Sequence, residues 1–352
     1  MKKISMVSLA LTFAGCFLGA GYVSGKELYQ YFGAYGNEGY IGLAIALALQ
    51  LIFGLLIIFL CKKTGLFELD KLIIRWDNKA VRAIVGGVSL VFMFGVFVIM
   101  AAGAGSLINR VTGLDYTISC LIFCVLVTVI AGFGVNGMVK AFSAIVPVLT
   151  VFTVIISVLC ISQGSLQGGA VEVKTNPLLG GWLLSAVNYT SYNMFGTIGI
   201  IAPVALMIKQ KKTAITGVAM GSGVLMLIAL SIIACLAVFP SFASAELPML
   251  EAAYSLNAVV GIIYALLLLL AMTGTSMSSL IAVNEYLAKK SALLSRNKLL
   301  FSVILGAGAF ALSLVGFGEL ISLIYPICGY LGIAAFALIA EHFIHISRKK
   351  LK

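Results

Sequence analysis

Charge is what this sequence lacks. Only 10% of its 352 residues are Asp, Glu, Lys or Arg, where an ordinary soluble domain carries about 25%. Too few charges are present to clothe a water-facing surface. Histidine is almost missing as well, with only His342 and His345, close together near the end of the chain. Neither stands at metal-ligand spacing from any of the seven cysteines, Cys16, Cys61, Cys120, Cys124, Cys160, Cys235 and Cys328. That excludes a zinc site of the usual Cys/His kind and makes buried apolar thiols the expectation. The charge that remains is lopsided, 23 basic against 12 acidic residues for a net +11. The basic residues fall between apolar runs rather than on one face, which argues against nucleic acid as a partner.

What fills the chain instead is apolar: 62% of the residues, with a mean hydropathy of +1.15. So much apolar surface requires lipid as solvent. A helix crossing the hydrocarbon needs about 20 mostly apolar residues. Ten such stretches are present, over 4–32, 40–60, 84–107, 115–135, 141–162, 179–207, 214–238, 251–287, 298–315 and 319–345. The first follows Lys2 and Lys3 and reaches Cys16 in the manner of a secretory signal, but membrane-type sequence continues beyond it, so it reads as a membrane helix. With the N-terminus in the cytoplasm, alternation places 20 of the 23 lysines and arginines on the cytoplasmic side, the bias that orients membrane proteins. Both termini are then cytoplasmic, in a multi-pass protein of a bacterial-type plasma (inner) membrane. The mixed stretch Leu66 to Trp76 reads as a surface amphipathic helix or a plain loop.

The spans form two sets of five, 1–162 and 179–345, followed by a basic cytoplasmic tail, 346–352. Corresponding spans lie about half the chain apart. Five is odd, so the halves enter the membrane from opposite sides, an inverted repeat. The first span of each set looks broken. In the first, Gly15, Gly19, Gly21 and Gly25 are followed by the adjacent charges Lys26 and Glu27. Gly15 and Gly19 have the spacing of close helix packing, but packing leaves the two charges unexplained, and an unwound segment lining a cavity accounts for both. In the second, six polar or amphipathic residues run from Asn188 to Asn193 before Gly196, which predicts another unwound segment whose half-helix beginning at Gly196 aims amide dipoles at an anion. The eighth span carries Thr273, Thr275, Ser276, Ser278 and Ser279 near mid-depth and Glu285 at its cytoplasmic end. Pro147 and Pro326 interrupt the fifth and tenth spans as hinges or kinks.

The glycine-rich first span, the polar sixth and the five-plus-five arrangement resemble the amino acid–polyamine–organocation superfamily, all-α membrane proteins of LeuT-like fold. The stretch from Phe13 to Glu27 is similar to a small bacterial branch of amino acid permeases. The resemblance implies a substrate site at Gly19, Ala20, Gly21, Tyr22, Ser24, Ser191, Tyr192 and Asn193, and a sodium site of helix-one carbonyls at Gly15 and Leu18 with the hydroxyls of Thr275 and Ser276. Tyr22 stands where sodium symporters of neurotransmitter type carry an asparagine, so their second sodium site is not expected. Lys26, Glu27 and Glu285 are candidates for gating or a proton relay.

The expected function is secondary active transport of a small solute, an amino acid or related amine, coupled to Na+ or H+ with sodium favoured and with no other cofactor. A channel or a membrane sensor is the alternative. An intramembrane serine hydrolase fits poorly, because Ser24 has no nearby histidine in sequence and a serine nucleophile needs a base within reach. The topology has a direct test. A thiol reagent confined to the outside should label a cysteine placed at Gly164 and spare one placed at Arg348; the reverse labelling would discard the orientation.

Overall fold

A computed structural model describes residues 4–76, 78–132, 138–163, 175–290 and 297–349. The loop 164–169 and the last three residues of the basic tail lie outside the described residues. Fifteen α-helices account for most of the described residues. The first span is three pieces, α1 (Met6–Phe17), α2 (Ala20–Val23) and α3 (Lys26–Tyr31). Then come α4 (Asn37–Thr64), α5 (Leu69–Ile73), α6 (Lys79–Thr112), α7 (Tyr116–Gly132) and α8 (Met138–Gln163). The second half holds α9 (Trp182–Ala205), α10 (Lys211–Val238), α11 (Pro240–Ala243), α12 (Pro248–Leu256), α13 (Ala258–Lys290), α14 (Lys298–Ser313) and α15 (Phe317–Lys349). The first four residues of the expected tail, 346–349, thus continue the last helix.

Five helices among the described residues are long and apolar enough to cross a membrane: α4, α6, α10, α13 and α15. Shorter apolar helices occupy Met6–Phe17, Tyr116–Ala131, Pro147–Gln163 and Leu299–Ser313. Along α7 the residues Ile118, Ile122, Val125 and Val129 are exposed, as are Leu299, Val303 and Ile304 on α14. An apolar face turned outward in this way is what a helix presents to lipid.

Helix ends follow local chemistry. Asn78 accepts from the amides of Ala80 and Val81 to start α6, and Gly113, in the left-handed region at φ 74°, ends it. Asp115 accepts from Thr117 and Ile118 at the start of α7, and those amides hold its carboxyl below the usual aspartate range.

α1 and α9 lie at the centre. α1 is seated between α9 and α10, and α9 between α4 and α15. Glycines make the close approaches: Gly54 and Gly221 receive the ring of Phe13, and Gly217 receives Leu9. The stretch 66–76 does not lie free on a surface. Leu72, Ile73 and Ile74 are buried, the Leu72 carbonyl meets Nδ1 of His342 at 2.9 Å, and Arg75 pairs with Glu341 at 3.2 Å.

One expectation is corrected. The ninth helix is continuous from Trp182 to Ala205, so no half-helix begins at Gly196. Its polar run stays wound because the side chains bond back one turn: Thr190 to Ala186, Ser191 to Val187, Asn193 to Tyr189 and Thr197 to Asn193. The eighth span, expected over 251–287 and one of several long enough to be tilted or broken, is divided at Asn257. That residue is extended, and its side chain accepts from Val259 at 2.7 Å, ending α12 and starting α13.

The packing of α1 is testable by size. A Cβ at Gly221 would stand 2.8 Å from the Ala10 carbonyl, whereas one at Gly223 meets nothing within 4 Å. Gly221→Val should therefore lower stability by about 1–3 kcal/mol in thermal unfolding of detergent-purified protein, and Gly223→Ala should not.

Candidate functional site

The break in the first span begins at Leu18, which leaves helical geometry at φ −77° and ψ 57°. The Gly19 amide turns to the Phe17 carbonyl at 2.8 Å, away from the Gly15 carbonyl that a continuous helix would offer it. A Cβ at Gly19 would meet nothing within 4 Å, so open space lies beside the break. Ala20 then opens α2. A second interruption follows at Ser24 and Gly25, where Gly25 takes φ 83°. Beyond it the adjacent charges part company.

Glu27 turns inward and is 3% exposed. Its carboxylate accepts from the Tyr192 hydroxyl, with the Asn193 side chain alongside, both on α9. The other carboxylate oxygen rests against Gly21, where a Cβ would lie 2.5 Å from it. No lysine, arginine or histidine among the described residues forms an ion pair with Glu27. Aromatic rings enclose it. Tyr192 stacks on Tyr325 with centroids 4.5 Å apart and planes at 14°, and Tyr31 and Tyr189 stand 5.6 and 5.7 Å from Tyr192. Asn188 ties this wall together, accepting from the Tyr31 hydroxyl at 3.2 Å and donating to the Pro326 carbonyl at 2.9 Å. Gly329 and Gly332 on α15 leave room for Asn188 and Ser191.

Lys26 points to the rim of the bundle. Its Nζ donates to the carbonyls of Ala245, Ser244 and Ala243 at 2.8, 3.4 and 3.5 Å, just past α11. In the same loop Glu246 accepts from the Gly318 amide at 2.7 Å, at the start of α15. A cavity of about 480 Å³ opens at this end, lined by Ser106, Asn109, Tyr116, Glu246 and the bidentate pair Arg110–Glu251. It lies apart from the residues around Glu27.

Of the expected site residues, Gly21, Tyr192 and Asn193 come together with Glu27. Tyr22 and Ser24 do not join them. The Tyr22 hydroxyl donates to the Leu225 carbonyl on α10, and the Ser24 hydroxyl donates to Gly21 O within its own turn. Ser191 faces Gly332 on α15. Glu285 is exposed near the end of α13, far along the chain from the break, and does not belong to a buried relay. The sequence reading missed Tyr31, Asn188 and Tyr325 as site residues. Asn188 stood in the polar run, but which of its neighbours would face the centre was not visible there.

On α13, Thr275 bonds back to Ala271 at 3.0 Å, while the fully buried Ser276 hydroxyl has no hydrogen-bond partner among the described residues. α13 meets the first span chiefly at α2, where Tyr264 donates to the Val23 carbonyl at 2.7 Å. The Ser276 hydroxyl is a hard oxygen of the kind Na+ takes as a ligand.

A helical bundle whose first span is broken around a buried polar centre defines a fold class, and the comparisons agree. The chain has the LeuT-like fold. It is similar to the inward-facing conformation of Mhp1, with a TM-score of 0.61 and 15% identity, over 97% of this chain and 77% of that one. It is likewise similar to the substrate-bound, outward-open state of a Na+-coupled sialic acid symporter, with a TM-score of 0.63 and 14% identity, over 94% of this chain and 79% of that one. In sequence it is 27% identical to the uncharacterized membrane protein YkvI of Bacillus subtilis (strain 168) over 335 residues, 95% of this chain and 94% of the relative. No family model matches.

The Asn188 bridge yields a stability prediction. Asn188→Ala leaves the Tyr31 hydroxyl and the Pro326 carbonyl without their partner, and it should cost about 1–3 kcal/mol, read as a lowered unfolding temperature in detergent. An unchanged temperature would show the bridge to be unimportant.

Proposed function

We propose that this protein is a secondary active transporter that moves a small solute, an amino acid or related amine, across a bacterial-type plasma membrane. The observation that carries the reading is the doubly interrupted first span. It leaves open space beside Gly19, and it sets the buried carboxylate of Glu27 against Tyr192 of α9. Irregular backbone at membrane depth is tolerated where it lines a cavity or is buried in protein, and transporters bind their solutes at such breaks. The two five-helix sets, 1–162 and 179–345, serve as inverted halves that rock about this centre, with both termini cytoplasmic.

Sodium is the coupling ion favoured here. Gly15 and Leu18 would offer carbonyls, and Thr275 and Ser276 hydroxyls. Na+ bound there would supply fixed positive charge between the first span and α13. The free Ser276 hydroxyl is what supports sodium over a proton, because an oxygen without a partner suits a cation ligand. Lys26, held by the carbonyls after α11, acts at the rim rather than in coupling.

Thermal unfolding in sodium or potassium chloride of equal ionic strength tests the ion site without knowledge of the solute. A ligand that binds only the folded state raises its stability, so sodium should raise the unfolding temperature of the wild type and not that of Thr275→Ala/Ser276→Ala. Equal response of both proteins, or of neither, ends the sodium proposal. For the solute site, Gly21→Leu places a side chain on the Glu27 carboxylate and should abolish solute binding in a folded protein.

A further inference from the structure

The transport centre leaves one charged corner of the molecule unused. Lys62 stands in the last turn of α4, Lys211 and Lys212 open α10, and Lys209 comes just before them. All four are exposed. We infer that this corner holds the phosphate headgroup of an anionic phospholipid, whose acyl chains lie along the apolar surface of α4 and α10 beneath it. The inference takes from the reading above only that these helices cross a membrane, and it owes nothing to the transported solute.

Three observations carry this. First, the fold brings these lysines together from segments 147 residues apart. The Lys62 Nζ donates to the Lys209 carbonyl at 3.4 Å. The Lys211 Nζ stands 5.8 Å from the centre of the Phe59 ring, about one turn before Lys62 on α4. Second, no acid answers them. Among the described residues none of the four is in an ion pair, whereas Lys71 pairs with Glu68 at 2.7 Å and Arg75 with Glu341 at 3.2 Å. Like charges gathered in this way repel, and an anion from outside the chain relieves the repulsion. Third, the corner stands over apolar surface. Ile215, one turn beyond Lys211, is 43% exposed, and Ile52, two turns before Phe59, is 54% exposed. Gly54 faces Val218 in the same stretch, so the two helices meet there. Cations set above an apolar strip match the two parts of a phospholipid, and basic pockets between membrane helices take such headgroups. Nucleic acid or an acidic protein would use the lysines and leave the strip bare.

Native mass spectrometry of the purified full-length protein in detergent tests this by counting bound lipid. The wild type should retain phosphatidylglycerol about tenfold more strongly than phosphatidylcholine with the same acyl chains. Lys62→Ala/Lys211→Ala should lose that preference, and Lys62→Arg/Lys211→Arg should keep it. Lys79→Ala/Arg348→Ala removes the same charge at exposed positions elsewhere and should also keep it. Thermal unfolding gives a second readout. Phosphatidylglycerol should raise the unfolding temperature of the wild type and of Lys79→Ala/Arg348→Ala, but not that of Lys62→Ala/Lys211→Ala. Inorganic phosphate at the same concentration should raise none of them. Equal retention of the two lipids by the wild type, equal loss in the two alanine variants, or an equal response to inorganic phosphate overturns the inference. Both readouts use solubilised protein without a solute, so failure of the transport reading leaves the lipid site standing, and loss of the lipid site leaves the transport reading standing.

Discussion

The hydrogen bond from the Tyr192 hydroxyl to the Glu27 carboxylate joins the broken first span to the continuous ninth helix, and the arrangement of the centre depends on it. A carboxylate at this depth must be solvated by the protein itself. Tyr192 and Asn193 do so from one side, and the absent side chain of Gly21 lets the group lie flat against α2 from the other. Tyr192 is in turn held by Tyr325 and by the Tyr31 and Tyr189 rings, and Tyr31 by Asn188. Glu27 thus organises residues from α3, α9 and α15, elements far apart in sequence.

The membrane class, the all-helical fold and the break in the first span were legible in the sequence, because they rest on local signals. Apolar runs of crossing length announce helices. Four glycines followed by two adjacent charges cannot sit in lipid as an ordinary helix. The polar run from Asn188 to Asn193 carried the same kind of signal and meant something else. Ser, Thr and Asn can leave a helix or bond back onto its preceding turn, and composition does not distinguish the two. Spacing decides only once the neighbours are known: Thr190 also reaches the Ala46 carbonyl of α4 at 3.1 Å, and Ser191 meets the bare backbone of Gly332. The interruption at Asn257 was concealed for a related reason. A single capping asparagine between apolar stretches does little to a hydropathy profile, yet it ends one helix and begins the next. Tyr325 was invisible because its role comes from stacking across the bundle, with no mark in its own sequence neighbourhood.

Adjacent opposite charges on one short helix ordinarily suggest a shared role. Here they divide the protein. Successive helical residues point about a quarter-turn apart, and Lys26 uses that angle to reach the loop after α11 while Glu27 reaches the core. The same loop holds the start of α15 through Glu246, and Gln30 donates to the Gly318 carbonyl at 3.1 Å. The rim and the buried centre therefore share α3 as a common element, although the cavity at the rim and the space beside Gly19 are separate.

The four residues of α2 are bounded at one end by Leu18 and Gly19 and at the other by Ser24 and Gly25. Mechanically that makes them a link with a joint at each end. α9, facing them, has no such joint between Trp182 and Ala205 beyond the proline at 203. With α1 packed against α9 and α10, the wall formed by the first span has two places to bend, and the α9 wall has none between its ends apart from that proline.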